Sequence, residues 1–332
     1  MMNAKRVLYI GGTGTISAAS VRRSLELGHD VTVLNRGSAR RPLPDGVREL
    51  TADVRDAAAV RAAIGAAEFD VVAEFLAFVP AHVQADLDQF EGRCGQYVFI
   101  SSASAYQKPP QRLPITESTP LRNPFWQYSR DKIACEDLLV DAYRERGIPI
   151  TIVRPSHTYD ERLIPTMGHW TDIARMRAGK PVVIHGDGTS LWTLTHTDDF
   201  AVAFAGLLGN PAAIGESFTI TGTHAPTWDQ IYRWLADAAG VGDPEFVHVS
   251  SDAIAAFAPD LGPGLLGDKA HSVVFDASKV TALVPEFRTT ITFDEGARRI
   301  VRHYDAHPGE QKVDAELDAV FDRIAAYARA AG

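Results

Sequence analysis

The chain has 332 residues, 45% hydrophobic and 23% charged, with 42 acidic side chains against 33 basic ones and a formal net charge of −9. That length suits one large or two intimately joined α/β domains, and the acidic balance argues against a nucleic-acid partner, because phosphate binding needs clustered Lys and Arg. Cys94 and Cys135 form no disulfide framework and fit no metal spacing, and neither a secretory apolar region nor a membrane-length run occurs, so a cytoplasmic protein without metal is expected.

In chain order, residues 7–10 form a short β run that leads directly into Gly11-Gly12-Thr13-Gly14-Thr15-Ile16-Ser17 and then an amphipathic stretch to residue 27. A strand, a glycine turn and a helix start together place backbone amides and a positive helix end where a dinucleotide pyrophosphate would lie. Gly11 to Ile16 are therefore expected to bind a cofactor. Further β runs at residues 31–34, 47–50, 71–72, 97–100 and 150–153 alternate with helical segments, among them 57–67 and 128–146. This pattern predicts an α/β fold, a Rossmann-type doubly wound parallel sheet. After residue 153 proline and glycine become frequent and helices gather late, at 228–239, 293–304 and 314–330. A dinucleotide-binding domain over 1–155 and a mainly substrate-binding α/β domain over 156–332 are expected, with parts of roughly 184–222 returning to the first sheet. The last helix, with Leu317, Val320, Phe321, Ile324 and Tyr327 on one face, suits packing or a homodimer contact.

At the end of the second run, where an NAD site normally places an acid against the ribose hydroxyls, the chain has Asn35-Arg36-Gly37-Ser38, then Arg40 and Arg41. A guanidinium forms charge-assisted bonds to a 2′-phosphate and stacks on adenine, so NADP is expected in preference to NAD, with NAD still possible. Asp53, beside Val54, follows the third run and could accept from the adenine amino group.

Tyr128 and Lys132 stand four apart and share one helix face. A free phenol ionises near pH 10, and an adjacent ammonium would bring it closer to neutrality. Lys132 would also hold the nicotinamide ribose. Ser102, in the serine-rich segment after the fifth run, could donate to the substrate oxygen. Together these groups suit hydride transfer at a carbinol or carbonyl carbon, with Tyr128 as the acid/base.

The glycine turn, Ser102 four residues before Tyr106, the Tyr128/Lys132 pair and Arg154-Pro155 resemble the extended short-chain dehydrogenases/reductases, the group of NAD(P)-dependent sugar epimerases and dehydratases. The resemblance continues through Gly186-Asp187-Gly188 and His196-Thr197-Asp198-Asp199-Phe200-Ala201 to Asp276-Ala277-Ser278-Lys279. It implies catalytic roles for Ser102, Tyr128 and Lys132, and places Pro155 and His157 beside nicotinamide and substrate. The turn and the segment after the second run also look like a subgroup that includes chloroplast stem-loop-binding proteins. Three features depart from the family pattern. Ser17 replaces the third glycine of the turn, Trp192 stands in the register of an arginine that clamps a nucleotide diphosphate, and the second clamping arginine is missing near Gly267-Asp268-Lys269. Ser104, His157, His169, Trp170 and Trp192 are then candidates for a sugar-like substrate pocket, although two tryptophans in a core and a surface histidine would read the same way.

The reading that follows is an NADP-preferring oxidoreductase acting on a secondary alcohol or ketone of a sugar or sugar derivative. A redox-neutral epimerase or dehydratase with tightly bound NAD is the alternative among enzymes, and a non-catalytic nucleotide-sensing or RNA-binding protein is the alternative of another class. A hydrolase triad of Ser102, His157 and Asp160 is disfavoured, because no nucleophile elbow surrounds any serine.

Overall fold

The structure is a computed structural model that describes residues 4–37 and 41–331; Ser38 and Arg40 of the predicted cofactor loop lie outside the described residues. Its frame is a seven-stranded, wholly parallel sheet in the order β10-β6-β5-β4-β1-β2-β3. The strands are β1 (Arg6–Ile10), β2 (Asp30–Asn35), β3 (Arg48–Thr51), β4 (Val71–Glu74), β5 (Tyr97–Ile100), β6 (Ile150–Pro155) and β10 (Ser217–Ile220). Between β6 and β10 lie β7 (His157–Tyr159), β8 (Val182–His185) and β9 (Leu194–His196), and after them β11 (Phe246–Val249); β7 pairs with β9, and β8 with β11, outside the main sheet.

Successive strand residues face opposite sides of a pleated sheet, and a parallel sheet is apolar on both faces. Val7 and Tyr9 pack on one side with Val21, Phe200 and Phe204, whereas Leu8 and Ile10 pack on the other with Val60, Leu87 and Leu139. The first layer uses helices α1 (Thr15–Glu26) and α6 (Thr197–Leu207); the second uses α2 (Ala57–Ile64), α3 (Pro80–Phe90) and α4 (Gln127–Arg146). Helix α4 ends at Gly147, whose φ of 69° supplies the left-handed cap. His196 opens α6 by accepting the Asp198 amide on Nδ1.

A separate core centred on Trp170, Trp192, Trp228 and Phe293 joins α5 (Trp170–Arg177), α7 (Trp228–Ala238) and the helix Phe293–Ala306. The C-terminal helix Ala315–Ala331 packs through Phe321 and Ile324 beside Met167 and Val183, while Tyr327 on the expected face is 49% exposed. Among the described residues no helix is long and apolar enough to cross a membrane.

The strand order reverses between β1 and β4, where the crossovers part and leave a crevice at the carboxyl ends of the strands. Glu74 ends β4 there, fully buried, and accepts the Leu76 amide. Asp86 of α3 is also buried and accepts the Tyr97 hydroxyl at 2.9 Å. Burial drives both carboxyls up, Glu74 well above the usual range and Asp86 to about 7, so the neighbours retain a proton between them. A raised carboxyl pKa means the folded state binds more protons than the unfolded one between about pH 4 and 7, and stability from this site falls as pH rises through that window. Asp86→Asn, which keeps an acceptor for Tyr97, should therefore lose less stability between pH 5 and pH 8 than the native chain, by about 1 kcal/mol or more. Urea unfolding at the two pH values measures the difference; parallel pH dependences would show that no proton is retained there.

Candidate active site

A cavity of about 940 Å3 follows the crevice and continues past the sheet toward Trp192, Lys269 and Phe275. At the sheet end it is lined by Gly11, Thr13, Gly14, Thr15, Ile16, Asn35 and Arg36. The turn is tight because Gly11 adopts φ +86°, and a side chain at Gly12 would lie 2.6 Å from Val33 Cγ2. Gly12 underpins the turn from behind, donating its amide to Asn35 Oδ1 at 3.2 Å. Ser17, standing where the family pattern has a third glycine, is buried and accepts the Gly14 amide on Oγ at 2.9 Å. The hydroxyl thus fixes the turn that a glycine would only have left room for.

Asn35 Nδ2 is buried without a hydrogen-bond partner among the described residues. A buried donor of this kind costs free energy until a ligand acceptor reaches it. Together with the close-packed glycine backbone it fits the phosphate and ribose oxygens of a dinucleotide. Arg36 stands exposed at the rim and has no ion-pair partner among the described residues. Asp53 and Val54 do not line the cavity; Asp53 Oδ1 accepts the Arg55 amide at 2.9 Å in its own turn. Arg41 is directed away from the cofactor crevice and pairs with buried Asp160.

The reacting end gathers Ser102, Ser104, Tyr128, Lys132, Pro155 and His157 in one wall. The chain leaves β5 and turns at once, with Ser102 Oγ accepting the Ser104 amide at 3.1 Å. Three hydroxyls then run in series, from Ser129 to Ser104 at 2.8 Å and from Ser104 to Ser102 at 2.9 Å, and Ser102 is near enough to the Tyr128 phenol to favour its ionised form. Tyr128 sits in the first turn of α4, its ring 5.0 Å from that of Trp126.

Lys132 is buried and donates from Nζ to the Ala77 and Ile100 carbonyls, both at 2.7 Å. An ammonium has three donors, so one remains for a further partner. Burial brings this amine down to about 8, opposed by Cys135, Glu74 and Glu136. The expected lowering of the Tyr128 pKa by Lys132 is not the balance found. Burial raises the phenol above its ordinary value, with the Ser102 bond opposing and the Asp268 charge adding to the rise. The physical reason is direction: the ammonium is bonded to two carbonyls and lies over the Tyr128 ring at 5.9 Å, so desolvation of the phenol outweighs it.

Beneath this wall, Glu136 of α4 accepts from Ser101 Oγ and takes a bidentate fork from Arg154. Arg154 Nη1 donates to the Tyr106 hydroxyl at 3.1 Å, and that hydroxyl lies 2.6 Å from Thr219 Oγ1. Asn123 ties the wall to more distant chain, donating from Nδ2 to the Ser104 and Gly267 carbonyls at 2.9 and 2.7 Å. Neither network has a local sequence signature, because its members are scattered between residues 101 and 267.

His169 and Trp170 lie away from the cavity. His169 Nδ1 bonds the Ile164 carbonyl at 2.7 Å, and Trp170 stacks on Tyr304 with ring centroids 4.7 Å apart. Trp192 does reach the cavity wall, but it is 1% exposed and lies against Trp228, so it offers no open stacking face. Phe78, Trp126 and Phe275 also line the cavity and were not singled out in the sequence. The hydrolase arrangement is not built, since His157 Nδ1 accepts from Trp192 Nε1 and Asp160 pairs with Arg41. Among the described residues no cluster of three His, Cys, Asp or Glu side chains could hold a metal ion.

The family model described as "NAD dependent epimerase/dehydratase family" matches residues 7–221, from β1 past β10. The chain belongs to this family. It is thus an enzyme-family chain of the short-chain dehydrogenase/reductase superfamily, built on the Rossmann sheet that its alternating β runs predict. Among curated relatives, chloroplast stem-loop binding protein of 41 kDa b from Arabidopsis thaliana is 29% identical over 257 residues, covering 74% of this chain and 66% of that protein. The 2′-dehydrokanamycin reductase of Streptomyces kanamyceticus is 30% identical over 241 residues, covering 71% of this chain and 67% of the relative. The chain thus matches about two thirds of the length of each. The fold is also that of UDP-glucuronic acid 4-epimerase from Bacillus cereus solved with UDP-glucuronic acid and NAD, with a TM-score of 0.72, 19% identity, and coverage of 90% of this chain and 99% of that one. Epimerase Mth375 from Methanothermobacter thermautotrophicus gives a TM-score of 0.76 at 15% identity, covering 93% of this chain and 94% of that one.

Proposed function

We propose that this family member is an NADP(H)-linked oxidoreductase that interconverts a ketone and a secondary alcohol on a sugar or sugar derivative. The observation that carries the reading is the gathering of Ser102, Tyr128 and Lys132 in the same cavity as the glycine turn. Gly11 to Ile16 and Asn35 would hold the dinucleotide, with Pro155 beside its nicotinamide; Lys132 would use its remaining N–H on the ribose. When bound, the nicotinamide supplies or accepts the hydride.

Every other part of the step falls to side chains. Ser102 orients the substrate oxygen. In reduction, Tyr128 gives its phenolic proton to that oxygen as the carbonyl carbon gains the hydride; in oxidation the proton returns. A phenol holds its proton near neutrality, and burial raises the Tyr128 value further, so the proton is in place for donation to a carbonyl oxygen. The Streptomyces kanamyceticus relative is named a reductase, which favours the reductive direction. The chain from residue 156 onward contributes His157, Trp192 and Lys269 to the wall beyond the reacting oxygen. The net charge of −9 speaks against an RNA ligand.

Arg36 supports NADP because its exposed guanidinium, which has no ion-pair partner among the described residues, can take a 2′-phosphate in a charge-assisted bond. Arg36→Ala should weaken NADP binding about 10- to 100-fold and leave NAD within about twofold. Calorimetric titration with both nucleotides measures the ratio; equal losses would remove Arg36 from phosphate recognition. The proposal as a whole is tested by denaturing freshly purified protein and identifying any released nucleotide by mass spectrometry, then titrating stripped protein with NADP and NAD. An empty protein that prefers NADP(H) is expected. Stoichiometric NAD carried through purification would instead support a redox-neutral epimerase.

A further inference from the structure

Past the reacting hydroxyls the cavity wall holds a second polar cluster, organised by Trp192. An indole N–H can only donate, and Trp192 Nε1 donates to His157 Nδ1 at 3.1 Å. The bond places the imidazole proton on Nε2. Burial, with the Lys269 and His169 charges adding to it, holds the His157 pKa well below the usual range, so the ring stays neutral and presents a donor.

Lys269 stands over the same indole, its Nζ 5.8 Å from the ring centroid. Its main chain is fixed from behind, because the Lys269 carbonyl lies 2.9 Å from His185 Nε2 and 3.3 Å from Trp228 Nε1. The ammonium itself makes no ion pair among the described residues. The adjacent carboxylate is already engaged, since Asp268 Oδ1 receives the ammonium of fully buried Lys108 at 2.7 Å. Val273 and Phe275 complete an apolar surround in which an uncompensated charge is costly.

We propose that Lys269 and His157, oriented by Trp192, form a subsite for one anionic group carried by the substrate, a carboxylate or a phosphate monoester. The inference rests on the oxidoreductase reading of the same cavity and narrows its substrate class. One ammonium and one N–H match a single anionic group. A diphosphate would call for more, yet the remaining basic residues lining the cavity are Arg36 at the cofactor end and Lys132, already bonded to two carbonyls.

The test uses full-length protein loaded with NADP and titrated calorimetrically with glucuronate, glucose 1-phosphate and glucose. At least one anionic probe should bind about tenfold or more tightly than glucose, and the advantage should shrink as salt is raised. Glucuronate alone gaining would identify a carboxylate, and glucose 1-phosphate alone a phosphate monoester. Lys269→Met should bring the anionic probes to within about twofold of glucose while NADP affinity stays unchanged, and Lys269→Arg should retain part of the preference. NADP affinity also serves as the folding control for each variant. No anionic preference in the native protein, or a preference that survives Lys269→Met, overturns the subsite while leaving the oxidoreductase reading intact. Failure of NADP to bind at all overturns that reading and the subsite with it.

Discussion

Tyr128→Phe should lower turnover by about 10²- to 10⁴-fold, the usual contribution of a positioned proton donor, and leave NADP binding unchanged. The substitution removes one oxygen and keeps the ring, which packs 5.0 Å from Trp126 and 6.5 Å from Phe78. The hydroxyl that is lost is the one Ser102 favours in its ionised form. Because nothing else moves, a binding defect is not expected. Steady-state rates with a ketone substrate, set beside nucleotide titrations, separate the two effects; native turnover in the variant would remove Tyr128 from the chemistry. Ser102→Ala should give a smaller loss, since Ser104 and Ser129 still supply hydroxyls nearby.

Glu136→Ala should destabilise the fold by about 3–5 kcal/mol, because it strands the buried guanidinium of Arg154. Arg154 places two nitrogens on this carboxylate, with Nε at 3.0 and 3.1 Å and Nη2 at 2.5 Å, and both side chains are nearly fully buried. What remains to Arg154 after the substitution is the Tyr106 hydroxyl and its ring, 4.9 Å away. The loss should extend to activity in whatever fraction stays folded, as Ser101 loses its acceptor next to Ser102. Replacing both partners, Glu136→Leu with Arg154→Met, should recover much of the stability, since an apolar pair leaves no unpaired charge. Urea unfolding of the single and double variants tests this, and a double variant no more stable than Glu136→Ala would contradict it.

The parts of the site that were legible in the sequence are those whose chemistry is local. The turn at Gly11 to Ile16 follows its strand without interruption, and Tyr128 and Lys132 lie one helical turn apart, so a short window contains all the information. Helix α3 was not delineated because its apolar positions, Val83, Leu87 and Phe90, are mixed with buried Asp86 and Gln89. Helix α6 is not legible in the sequence, since a segment buried on most of its surface shows no clear amphipathic period. In the later chain β10 pairs with β6 in the main sheet, while β8 pairs with β11 outside it.

Residue type alone also misjudged environment. Trp170 and Trp192 are both tryptophans near a histidine, yet one stacks on Tyr304 in the core and the other orients His157 at the cavity. The direction of the Tyr128 shift was missed for the same reason, because spacing reveals that a lysine is near but not where its ammonium points.

By itself the sequence determined the doubly wound class, the tight glycine turn after the first strand and the spacing of Tyr128 and Lys132 on one helix face, because strand alternation, glycine geometry and helical spacing act over a few residues. Only the tertiary structure decided which groups face one another. Asp268 is joined to Lys108 across 160 positions, Glu136 to Arg154, and Asn123 to Gly267, while among the described residues Lys269 makes no ion pair and Asn35 Nδ2 no hydrogen bond. A hydrogen bond or ion pair depends on distances of about 3 Å and on the exclusion of water, and both are properties of the packed chain.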